Sequence, residues 1–210
     1  MSALSRLSLI QWLSPAFPTG GFAYSHGLEQ AMTEATRDAQ SVSSWVRDVL
    51  CHGGGWIDAV ILALALRGED PDELADLARA QAGSAERLTE TMDQGRAFAE
   101  TVAALSGEAH PTRPLPVAVG VAARGLGLPP DEVIGHYLHA FASNLVSAAT
   151  RFLPLGQAQG QRALASLHDT IAETAARAAQ ADRDALATCC LGADLAAMRH
   201  ETLYVRIFRT

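Results

Sequence analysis

Ser14-Pro15-Ala16-Phe17-Pro18-Thr19-Gly20-Gly21-Phe22-Ala23-Tyr24-Ser25-His26-Gly27-Leu28-Glu29 is the stretch on which the reading of this chain turns. Pro15 and Pro18 each fix φ and push the preceding residue out of the α region, so the short apolar run before them must end as a helix there. Gly20 and Gly21 free the backbone for a sharp turn, and a new helical run begins near Leu28. Large apolar residues are mostly buried, so the stretch by itself reads as a helix–turn–helix corner whose aromatics, Phe22 and Tyr24, fill the core. The competing reading is a rigid platform offered to a partner.

Working outward, residues 5–13 and 22–35 read as the helices flanking this corner. Residues 41–66 place Val42, Trp45, Val49, Leu50, Trp56, Ile57, Val60, Ile61 and Leu64 at helical spacing, and Gly53-Gly54-Gly55 predicts a kink or two separate helices. Asp70-Pro71 is a helix start with the carboxylate as cap and proline at the first helical position. Ser84 caps the next helix, which runs to about residue 105. Residues 106–116 are a Gly/Pro-rich loop, and residues 115–126 a helix of small residues able to approach a neighbour closely. Pro129-Pro130-Asp131-Glu132 opens a long apolar helix to residue 152. Residues 161–190 carry one apolar stripe, and a last helix spans about 193–199. Leu203, Val205 and Ile207 alternate as a strand or an unpaired tail would. These patterns predict an all-α fold, an irregular bundle of roughly eight to ten helices in a single domain over residues 1–210, ending in a docking tail at about 200–210.

The 210 residues are enough for a sizeable core without staples. The net charge of −7 argues against nucleic acid as a partner. All 16 basic residues are arginine. The absence of lysine excludes a P-loop lysine, a Schiff base and a lysine general base. Three cysteines, Cys51, Cys189 and Cys190, form no disulfide framework, which predicts a reducing, cytoplasmic setting. The apolar runs at residues 7–13 and 60–66 are too short for a signal peptide or a membrane span.

His136 and His139 stand i, i+3 on a helix, and with His168 or the cysteines they are the candidate metal ligands of an alternative reading as a metallochaperone or metalloenzyme. No closed ligand spacing of the Cys-x-x-Cys or His-Glu-x-x-His kind accompanies them. Adjacent Cys189 and Cys190, read on a helix, diverge by about 100° and fit buried structural thiols better. The Asp/Glu pairs at 70–73 and 131–132 sit at helix starts, where the macrodipole accounts for them. Composition and spacing alone thus give a helical protein without a visible catalytic residue, cofactor site or metal site.

Three segments add a resemblance. Residues 9–29, containing Trp12-Leu13-Ser14-Pro15 and Gly27-Leu28-Glu29, are the first. Ser143-Asn144-Leu145-Val146-Ser147-Ala148-Ala149 with Arg151, Pro154, Leu155, Gly156, Gln157, Gly160 and Gln161 are the second. Met198-Arg199-His200-Glu201-Thr202 with Tyr204, Arg206, Phe208 and Arg209 are the third. In this order and at these places they resemble the urease accessory protein UreF family over nearly the full length, although residues 67–115 carry little signature. The resemblance implies a non-catalytic helical scaffold that joins UreD (also called UreH) and the GTPase UreG on apo-urease while nickel is inserted, modulating the UreG GTP cycle. Nickel and GTP then belong to the partners, no cofactor is held by this chain, and a homodimer is expected. It also shifts Tyr24, His26 and Glu29 toward partner recognition, with Phe22 left in the core. Arg199, His200, Glu201, Tyr204, Arg206 and Phe208 become the contacts of a tail that orders on a partner, since arginine forks pair well with carboxylates at interfaces.

Overall fold

A computed structural model describes residues 3–209. They form α1 (Ala3–Trp12), α2 (Leu28–Glu34), α3 (Ala39–His52), α4 (Gly54–Arg67), α5 (Pro71–Ala80), α6 (Ala85–Ser106), α7 (Leu115–Ala123), α8 (Pro130–Phe152), α9 (Gln157–Ala165), α10 (His168–Ala178) and α11 (Leu191–His200), with short 3-10 turns at Gly21–Ala23, Arg124–Leu126 and Arg183–Leu186. No strand occurs among the described residues, and the all-α irregular bundle stands. Leu203, Val205 and Ile207 belong to an irregular terminal segment.

The bundle is built around α4. Residues Ala59 to Ala65 are buried all round the helix, as expected of an element that neighbours cover on every side. Residues Ala39–Arg67 are apolar and long enough to span a membrane by composition, but Gly53 divides them into α3 and α4, and most of the stretch is buried inside the protein. Helix α7 lies against α4 so closely that a Cβ at Gly120 would meet the Ala65 Cβ at 2.5 Å. The neighbour that the small-residue helix approaches closely is therefore α4 of its own chain, and Val117, Val119 and Ala123 are buried.

The local starts and stops are chemical. Asp70 Oδ1 accepts from the N–H groups of Asp72 and Glu73 at 2.9 and 3.0 Å, and Ser84 Oγ accepts from Arg87 N at 3.0 Å. These satisfy donors that a helix leaves unpaired at its first turn. The stripe read over residues 161–190 is divided into α9, α10 and an irregular connection. Ser166 Oγ turns back to donate to Ala163 O at 2.7 Å where α9 ends. The connection is pinned to α4 by Trp56 Nε1, which donates to Ala185 O at 2.7 Å. Cys189 and Cys190 lie in that irregular segment, the first exposed and the second half-buried, rather than on a helix.

Helices α2 and α11 cross at Gly27, the residue that begins α2 at φ 74°, where a Cβ would lie 2.5 Å from Ala197 N. Only glycine meets both demands, a left-handed backbone and this contact. The crossing brings the Pro/Gly stretch and the C-terminal segment together.

Candidate functional site

The Pro/Gly stretch leaves α1 after Trp12 and tucks Phe17 against Phe98, ring centroids 5.7 Å apart. Gly20 at φ 74° then starts the 3-10 turn Gly21–Ala23. Phe22 is 65% exposed and Tyr24 only 3%. The expectation of a buried Phe22 and a presented Tyr24 is thus reversed. The turn ends at Ala23, and Tyr24 is the first extended residue beyond it, at φ −120° and ψ 143°, so the two aromatics leave different local backbones and face different ways. Tyr24 Oη donates to Asp93 Oδ2 at 3.4 Å, and burial raises the phenol above its ordinary pKa. The turn is clamped from outside by Arg151 Nη2, which donates to Phe22 O at 2.5 Å.

Glu29 and His200 make a second, fully internal cluster. His200 is 0% exposed and Glu29 2%. Its Nε2 lies 2.9 Å from Glu29 Oε2, and its Nδ1 lies 2.7 Å from Glu86 Oε2. The ring thus bridges the two carboxyl groups. The other oxygen of Glu86 takes Arg206 Nη1 at 2.5 Å. Glu29 also accepts the backbone N–H groups of Ile207 at 2.8 Å and Phe208 at 3.0 Å. Phe208 is buried beneath the Arg151 guanidinium, 4.6 Å from the ring centre, and Arg209 N donates to Ala23 O at 2.8 Å. The terminal segment is thereby bound to its own chain. Tyr24, Glu29, His200 and Phe208, read from the sequence as partner contacts, are interior residues in this conformation. The physical reason is that a buried carboxylate draws in every donor in reach, here one imidazole and two main-chain N–H groups.

His26 joins a third cluster that sequence reasoning did not find. It adopts φ 52°, rests its ring 4.4 Å from that of Phe141 and places Nε2 2.9 Å from Glu90 Oε1. Gln94 Nε2 donates to the same oxygen at 2.8 Å. Arg87 Nη2 forks onto both oxygens of Asp58 at 2.7 Å, and Tyr137 Oη donates to Asp58 Oδ2 at 2.7 Å. Burial works against the charge on Glu90, but His26 and Arg87 outweigh it and hold the carboxyl below its ordinary value. Burial also opposes the charge on Arg87, and the carboxylates of Asp58 and Glu90 more than reverse that effect. Tyr137 is raised well above 10.0 by burial and by Asp58. His26 and Glu90 stand between a cavity of about 220 Å³ under the Pro/Gly stretch and a smaller one of about 60 Å³. One signal could have exposed this network: Asp58 is the only charge inside the apolar run 56–66, and such a charge requires a partner.

What faces outward is apolar and lies nearby. Leu191, Leu195 and Met198 form the free face of α11 at i, i+4, i+7, and Tyr204, Val205 and Ile207 are exposed in the terminal segment that follows. Arg199 reaches Glu34 Oε1 at 3.5 Å across the surface, and Glu201 Oε1 accepts Ala85 N at 2.8 Å. A separate stripe, Leu4, Leu7 and Ile10, lies along α1. Single exposed apolar residues are ordinary, but contiguous runs mark contact surfaces. Among the described residues no group of three or more His, Cys, Asp or Glu side chains is arranged to hold a metal ion.

Comparison with known proteins gives the family of this helical chain. The UreF family model matches residues 36–168. The urease accessory protein UreF of Cereibacter sphaeroides strain KD131 is 64% identical over 205 residues, 97% of this chain and 98% of that protein. The protein of the same name in Paracoccus denitrificans is 56% identical over 207 residues, 98% of this chain and 96% of its own. That of Roseobacter denitrificans is 49% identical over 213 residues, covering 100% and 96%. With identity of this degree along almost its whole length, the chain belongs to the urease accessory protein UreF family.

Proposed function

We propose that this chain is a non-catalytic cytoplasmic adaptor of urease maturation, which joins UreD and UreG on apo-urease during nickel insertion and modulates the GTP cycle of UreG. Nucleotide and cargo nickel are handled by the partners, and the chain acts as a homodimer. The observation that supports this reading is the set of exposed apolar side chains on α11 and the terminal segment, Leu191, Leu195, Met198, Tyr204, Val205 and Ile207, beside a braced interior. Exposed Tyr204 is the anchor type favoured at binding hot spots, and Arg199 and Glu201 form a polar rim. UreD is the partner assigned to this face.

The separation between a braced inside and a sticky outside makes the proposal testable without unfolding the chain. Met198→Glu and Tyr204→Ala alter exposed side chains only. Each is expected to leave the melting temperature unchanged and to weaken UreD binding by about 2 kcal/mol, roughly thirtyfold. Undiminished UreD affinity in the double variant would move the interface elsewhere, with the α1 stripe the next surface to test.

A further inference from the structure

We propose that His139 of α8 and His168 of α10 form an exposed two-imidazole site for a borderline divalent transition-metal ion such as nickel, copper or zinc. The spacing read from the sequence paired His139 with His136 on one helix. In the fold, the ring contact of His139 is instead with His168, 29 positions on, with centroids 5.7 Å apart and planes at 44°. Two imidazoles on one ion, each with a metal–nitrogen bond of about 2.0–2.1 Å and a tetrahedral angle, place their ring centres ~5 Å apart. The observed separation of 5.7 Å is within an ångström of that spacing, and rotation about the side-chain bonds would aim one nitrogen of each ring at a shared ion.

Three further features support the assignment. Neither ring has a hydrogen-bond or ion-pair partner among the described residues, so the pair is not explained by mutual satisfaction with a carboxylate, as His26 and His200 are. Both rings are solvent-exposed, leaving room for water to complete the coordination sphere. The helices that carry them are fixed: Leu138 and Ala142 flank His139, Leu167 and Ile171 flank His168, and all four are buried. Rigid elements hold a binding pair more accurately than loops do. Two neutral imidazoles suit nickel, copper and zinc, and give magnesium, calcium or manganese little, since those ions prefer oxygen. With only two protein nitrogens the site captures and releases metal rather than storing it, as fits a cargo ion in transit. The site stands on its own geometry, and the scaffold proposal survives its failure.

The test uses the full-length chain without an affinity tag. Calorimetric titration with nickel chloride and then with copper and manganese salts is expected to show one saturable site per chain, ordered copper over nickel over manganese. His139→Ala and His168→Ala should each weaken nickel binding at least ~tenfold, the loss usual even for residues that only support a ligand. His52→Ala, an exposed histidine elsewhere, should change nothing. Paramagnetic broadening of the His139 and His168 ring resonances by nickel reads the same site in the unaltered chain. No saturable binding at millimolar nickel, binding unchanged in both variants, or broadening confined to other histidines would overturn the assignment.

Discussion

Glu29 receives one imidazole and two main-chain N–H groups within 3.0 Å, and this density of donors makes it a structural residue. Truncating it leaves His200 Nε2 and the main-chain N–H groups of residues 207 and 208 without their partner. Glu29→Ala is expected to cost about 3 kcal/mol, since each buried donor left without an acceptor costs about 1–3 kcal/mol, visible as a lower midpoint in urea. Any loss of partner binding in that variant should follow the loss of stability. Glu90 gives a pH prediction. Its carboxyl is held below the ordinary value of 4.5, so the folded chain keeps it ionised at acidity where the unfolded chain has taken up a proton. Its contribution is complete above 4.5 and is lost as pH falls through the lower, folded value. Glu90→Gln should flatten that acid limb and lower stability at neutral pH, as followed by thermal melts between pH 3 and 7. Unchanged acid sensitivity would assign it to other carboxylates. At this scale the sequence was least legible. Phe22 and Tyr24 are both aromatic and two residues apart, and nothing in the letters says which of them will face inward. His200 and Glu86 are far apart in the chain, and only the α2–α11 crossing joins them.

Helices and their ends were much easier to read, because caps and prolines act locally. Asp70-Pro71, Ser84 and Pro129-Pro130 all stand where helices begin, and the glycine triplet divides α3 from α4 as its composition requires. The division of residues 161–190 was not legible, since the apolar stripe continues while the hydrogen bonding stops at Ser166 and Trp56 reaches across to Ala185. The terminal segment has the largest consequence. Read from sequence it is a tail that orders on a partner, so deleting residues 202–210 should spare the fold. In the structure Phe208 is buried and residues 207–209 donate three main-chain hydrogen bonds to Glu29 and Ala23. The deletion is therefore expected to lower the melting temperature, with losing the Phe208 ring alone worth about 3–5 kcal/mol. A truncated chain that melts with the full-length one would show that the segment is detached in solution. Partner docking by this segment is thus expected to use Tyr204, Val205 and Ile207 while Phe208 stays in place.

For the molecule as a whole, the charged interior and the apolar exterior divide the labour. Asp58, Arg87, Glu90 and Tyr137 brace the bundle beneath the Pro/Gly stretch, and α11 presents Leu191, Leu195 and Met198 on the outside. The helix of small residues is consumed by α4, so self-association must use an exposed face. Sedimentation at tens of micromolar is expected to show a dimer, and a single monomeric species there would remove the homodimer from the proposal. The most direct measurement is made in cells lacking this chain but holding urease and its other accessory proteins. Unaltered chain and the Met198→Glu/Tyr204→Ala variant, matched in melting temperature, are each restored, and UreD and UreG recovered with them are measured beside urease activity. The adaptor proposal predicts that the unaltered chain recovers both partners and active urease, while the variant loses UreD and urease activity together. Full urease activation by a variant that no longer holds UreD would contradict it.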